Sequence, residues 1–233
     1  MTTKLSSLNL KSYTFYSLIS IGYLFFIRTV NSFLPLFFTN ELMGKGVQVL
    51  SLIAHTVILL FYIPFLTQYV QPSQKWLRWA TILSVAAMAI LSLFYLAGVL
   101  TFFPGLTSTL YKFSPFLYRS LHSSPFFPNF PLLSPGFAWM NTLIFVFFLT
   151  AFYRESEDMR SEALKKATYY AIGGHFLLFL IQSFLMVAQI AGNGMGWMLP
   201  HSLTLLLLFL PVFTIVFLVK FNFFLQFYRI LKD

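Results

Sequence analysis

The sequence predicts an all-α polytopic integral membrane protein, with about six transmembrane helices and both termini on the cytoplasmic side. Three observations carry that expectation. The first is composition: of 233 residues, 58% are hydrophobic and 9% charged, with a mean hydropathy of +0.79. Soluble domains carry about 25% charged residues, so a water-soluble fold has too little polar surface here. The second is length, because six apolar stretches approach the ~20 residues that a helix needs to cross a ~30 Å hydrocarbon core. The third is the placement of positive charge. With the N-terminus cytoplasmic, Lys4, Lys11, Lys75, Arg78, Arg154, Arg160, Lys165, Lys166, Lys220, Arg229 and Lys232 fall inside, and only Lys45, Lys112 and Arg119 outside. Eleven against three is the bias that sets membrane topology.

The net charge of +9 therefore reads as insertion topology, and no nucleic-acid partner is expected. The chain has no cysteine, which rules out disulfides, thiolate metal sites and iron–sulfur clusters and leaves the redox compartment open. The whole chain reads as one transmembrane domain in a plasma, inner or organellar inner membrane.

The first span is expected over residues 14–36. Its apolar run is about twice a signal peptide's hydrophobic region and lacks a small-residue cleavage site, which predicts an uncleaved helix. The others are expected at 47–69, 77–100, 137–153, 168–190 and 202–220, the fourth being the shortest. Trp76 and Trp79 open the third span, Trp139 the fourth, and Trp197 precedes the sixth, as interfacial aromatic belts require. The inner loop around Glu162 places Lys166 four residues later, which predicts a charged helical extension of span five. The glycine-rich stretch AGNGMGWMLPHS reads as a turn. The tail KFNFFLQFYRILKD reads as an amphipathic end lying along the cytoplasmic face.

The outer segment 101–136 holds six of the eleven prolines, with Phe102, Phe103, Phe113, Phe116, Phe126, Phe127 and Phe130. Proline prevents long helices, and so apolar a loop does not hang free in water. It is expected to bind other membrane subunits or to pack in the headgroup layer.

Polar residues within the spans supply the candidate site. Span one places Ser17, Ser20, Arg28, Asn31 and Pro35 near one helical face. In span two Gln48, Ser51, His55 and Tyr62 are separated by three, four and seven residues, and in span five Thr168, His175, Gln182 and Gln189 by seven throughout. Such stripes face a bundle interior or a water-filled cavity, since lipid cannot hydrogen-bond them. An intramembrane arginine costs from ~3 to well over ~10 kcal/mol. Arg28 and His55 each lie about eight residues below the outer surface, about 12 Å deep at 1.5 Å per residue. The expected ligand pocket is therefore Arg28, Asn31, His55, Gln182 and Gln189. The alternatives are that Arg28 snorkels to the headgroups and that the glutamines and serines only join helices.

No acid falls within the six spans, which disfavours proton- or cation-coupled carriers. A counter-charge for Arg28 must come from a lipid phosphate, a ligand or another subunit, unless backbone carbonyls serve. His55 and His175 are weak candidates for axial ligation of haem or a pigment. Their heights differ by about 12 Å, a poor fit to one shared haem. No metal site and no complete catalytic set is recognisable. A histidine shared by LIAHTVILLFYIPFL and AIGGHFLLFLIQSFL hints at an inverted repeat. The functional expectation is a non-catalytic subunit of a larger membrane complex, scaffolding partners and holding a lipid or hydrophobic cofactor of unknown identity. The alternatives are a small transporter or channel along spans one, two and five, and a receptor or enzyme for a lipid-like ligand.

Overall fold

A computed structural model describes residues 2–33, 41–100, 112, 133–156, 161–191 and 203–231. Among them the regular structure is entirely helical: α1 (Thr2–Phe33), α2 (Glu41–Pro64), α3 (Lys75–Leu100), α4 (Leu133–Glu155), α5 (Glu162–Ala191) and α6 (Leu203–Ile230). Three stretches, Gln48–Tyr69, Lys75–Leu93 and Leu210–Ile230, are long and apolar enough to cross a membrane among the described residues. The outer segment 101–136 lies outside the described residues, apart from Lys112 and the last four positions, which begin α4. Pro135 sits in the first turn of α4, where its missing N–H costs nothing. Pro35 and Trp197 also lie outside the described residues.

Each helix packs against its neighbours in the chain, and α6 returns to α1, closing a ring. Ring contacts give the directions. Phe15 meets Tyr228 while Phe25 stacks on Phe217, so α1 and α6 run antiparallel. His55 meets Tyr95 between α2 and α3, and Trp139 meets Phe179 between α4 and α5. Antiparallel packing throughout places the start of α1, the α2–α3 and α4–α5 connections and the end of α6 together at one end.

That end is closed by aromatic side chains from the three helices that run toward it. Phe61 and Tyr62 of α2 with Phe65 just beyond it, Phe145, Phe148 and Phe152 of α4, and Phe223, Phe224 and Phe227 of α6 are all buried. Edge-on contacts dominate, such as Tyr62–Phe148 at 5.3 Å and 90° and Phe152–Phe223 at 5.4 Å and 89°. Such geometry adds about 0.5–1.5 kcal/mol per pair beyond burial. The tail expected to lie along a membrane surface is instead the last third of α6. Phe223 and Phe227 recur at four residues, a helical repeat that turns one face of the segment into the core.

Pro64 ends the regular part of α2. Its ring cannot fit against the carbonyl four residues back, and the chain continues as a π turn over Phe65–Tyr69, closed by Val70 N–H on Phe65 C=O at 3.1 Å. The wider turn carries Tyr69 onto Phe152 and into a 2.5 Å hydrogen bond with Ser156 Oγ. The two connections are further tied by Glu155. Its carboxylate accepts the N–H groups of Leu77 (2.9 Å) and Trp76 (3.3 Å), which α3 leaves without intrahelical partners. Its carbonyl accepts Gln74 Nε2 at 2.7 Å. The charged extension of α5 forms as expected, with Glu162 and Lys166 3.7 Å apart.

Candidate functional site

Above the aromatic plug the inward positions turn polar. On α2 the buried series is Ser51, His55, Ile58, Tyr62 and Phe65, with steps of four and three. The spacing that marked Ser51, His55 and Tyr62 in the sequence is thus that of the buried face. His55 Nδ1 lies 2.7 Å from Ser51 C=O. A carbonyl can only accept, so Nδ1 carries a hydrogen. The imidazole stacks on Tyr95 of α3, centroids 4.7 Å apart and planes at 25°. The hydroxyl of Tyr62, about two turns along in the plug itself, is hydrogen-bonded to Ser84.

On α5 the buried series is Leu164, Thr168, Ala171, His175 and Leu178. Thr168 and His175 therefore face inward as their spacing of seven implies. Gln182, the next member, is partly buried. His175 repeats the pose of His55, its Nδ1 2.9 Å from Ala171 C=O, but meets Phe145 of α4 edge-on at 4.6 Å. The histidines thus turn to opposite neighbours, one to the helix that follows and one to the helix that precedes. They lie in separate clusters, and the inverted-repeat echo does not extend to their partners.

Lys220 of α6 joins the second cluster, its ammonium 4.4 Å from the centre of the Phe145 ring. It stands midway along the apolar stretch Leu210–Ile230. Val216, Lys220, Phe223 and Phe227 are spaced by four, three and four, so periodicity carried the signal that charge counting obscured. A cation held over an aromatic face gains about 2 kcal/mol or more when desolvated. Trp139 likewise departs from a purely interfacial role, donating Nε1–H to Ser183 Oγ at 2.7 Å between α4 and α5.

Arg28 and Asn31 lie in α1 at positions that continue the series Leu10, Thr14, Ser17 and Ile21, all four of which are buried. Their side chains, and that of Gln189, lie outside the described residues. Of the residues expected to form the pocket around Arg28, the described side chains are those of His55 and Gln182, and Tyr95 is the neighbour of His55 that sequence reasoning missed.

In both halves of the ring hydroxyls donate to the carbonyl four residues back at 2.7–2.9 Å: Thr14, Thr81, Ser84 and Thr168 toward the plugged end, Thr142, Ser183 and Thr214 toward the other. Five buried atoms have no partner among the described residues: Ser17 Oγ, Tyr23 OH, Gln48 Oε1, Ser92 Oγ and Gln182 Oε1. All but Ser17 lie above the plug. Among the described residues no three His, Asp or Glu side chains approach one another as metal ligands would. The chemistry on offer is hydrogen bonding to a polar or anionic group by amides, hydroxyls, imidazole and ammonium. Comparison with known protein families, with curated proteins and with solved structures finds no match for this chain.

Proposed function

We propose that the chain crosses a membrane six times, with the aromatic end toward the cytoplasm, and is a non-catalytic subunit of a larger membrane complex. In this reading the plugged half is a rigid base, and the opposite half holds a group contributed by a partner chain or a lipid-like ligand. Exposed Lys75, Arg78, Arg154, Lys165, Lys166 and Arg229 at the plugged end support the orientation.

One observation carries the functional part: the buried Tyr23, Gln48, Ser92 and Gln182 atoms above the plug that have no partner among the described residues. A buried polar atom without a hydrogen bond costs about 1–3 kcal/mol, and hydrocarbon offers it no water. Something brought to this half recovers that cost. The proline- and phenylalanine-rich segment 101–136 is the stretch of sequence assigned to the partner contact. The polar seams on α1, α2 and α5 favour a carrier as the second reading. The rings packed across the cytoplasmic half weigh against a through-path.

Native mass spectrometry after gentle solubilisation tests the assignment. Stoichiometric partner chains are the expected result. A lone chain or homo-oligomer would overturn the subunit reading, and solute flux from the reconstituted chain alone would establish the carrier in its place.

A further inference from the structure

At the plugged end, where α1 meets α6, Lys11, Ser12, Phe15, Tyr16 and Tyr228 line a cavity of about 160 Å³. We infer that this cavity is a headgroup site for an anionic glycerophospholipid, distinct from the polar half above the plug. The proposal rests on the reading that this end meets a leaflet surface, and not on the subunit assignment.

The lining combines what such a headgroup needs. Lys11 is half-buried, its ammonium 6.0 Å from the Tyr228 ring centre, so it forms part of the wall. Ser12, Tyr16 and Tyr228 add hydroxyls that can donate to phosphate oxygens. Phe15, 45% exposed, lies 5.8 Å from the Tyr228 ring and 6.0 Å from that of Tyr16. These rings give an apolar face for the glycerol and the first methylenes.

Charge supplies the second argument. Neither α1 nor α6 contains an aspartate or glutamate, so no acid on the two helices that form the cavity offsets Lys11. Trp76, Trp79, Tyr169 and Tyr170 are exposed at the same end, as residues of a membrane–water boundary are. Basic residues near an anionic leaflet attract its lipids by about 1 kcal/mol each. A phosphate diester tethered to acyl chains meets the cation, the hydroxyls and the rings together. A free phosphate ion uses only the first two.

The test is native mass spectrometry of the full chain released from mixed micelles holding equal phosphatidylglycerol and phosphatidylcholine. Retention of phosphatidylglycerol over phosphatidylcholine is expected, falling about fivefold in Lys11→Gln. Lys75→Gln, an exposed charge at the same end outside the cavity, should leave retention unchanged. Ser12→Glu alters an exposed position and should expel the anionic lipid without disturbing the fold. Equal loss in Lys11→Gln and Lys75→Gln overturns the site, as does retention unaffected by Ser12→Glu. Displacement of the lipid by millimolar inorganic phosphate would overturn it in favour of a free-anion site. Equal retention of both lipids would also overturn it, while leaving membrane embedding intact.

Discussion

Single residues decide how closely the helices of this ring approach. A Cβ placed on Gly174 of α5 would lie 2.8 Å from Val219 Cγ2 on α6, whereas one on Gly173 meets nothing within 4 Å. Valine in a helix has little rotamer freedom to retreat, and small residues are what allow close helix approach in a bilayer. Gly174→Leu is therefore expected to lower the melting temperature in detergent strongly, while Gly173→Leu leaves it nearly unchanged. Glu155 acts across the connections as a cap contributed by another helix. Glu155→Ala leaves two amide N–H groups of α3 without their carboxylate, and a loss of about 1–2 kcal/mol is expected in reversible denaturation. Lys220 shows what a sequence reading by residue type leaves out. Lysine near an apolar boundary reads as a topology signal, and its contact with Phe145, supplied by a helix 75 positions away in the chain, leaves no mark in its own surroundings in the sequence.

Element by element, legibility in the sequence followed period more than composition. The seven-residue spacing of Thr168, His175 and Gln182 and the steps between Ser51, His55 and Tyr62 identified the inward faces of α5 and α2. They could not identify Tyr95 or Phe145, because a stripe on one helix says nothing about its neighbour's register. The end of α6 was misread for a related reason. Its aromatics are dense enough to resemble an interfacial tail, and only α2 and α4 together make Phe223 and Phe227 core residues. Phe152→Ala tests that plug. It removes a fully buried ring that touches Phe65, Tyr69, Phe148, Phe223 and Phe227, and a loss of about 3–5 kcal/mol is expected in thermal or denaturant unfolding.

For the molecule as a whole, the proposed orientation has a direct check. The chain lacks cysteine, so single cysteines report sidedness without background. In sealed vesicles Lys75→Cys and Lys165→Cys should react with a membrane-impermeant maleimide from one side and Lys45→Cys from the other. Labelling of all three from the same side would refute the topology. The helical class and the approximate positions of the helices were readable from apolar length alone. Ring closure was not, because nothing local in either sequence marks α1 and α6 as neighbours.

That closure sets a schedule for biogenesis. α1 leaves the ribosome before the other five helices described, and its partner along one flank is the last of them to be made. At about 5–20 residues per second, the roughly 170 residues between Phe33 and Leu203 take about 10–35 s to synthesise. During that interval the nascent chain is an open crescent whose plug lacks Phe223, Phe224 and Phe227, and the flank of α1 that will receive α6 must be shielded by lipid or an insertion factor. Quality control can therefore read closure of the ring at a single seam. A chain stopped after Ala191 should insert and yet be degraded quickly, and co-expression of α6 as a separate segment should restore its lifetime.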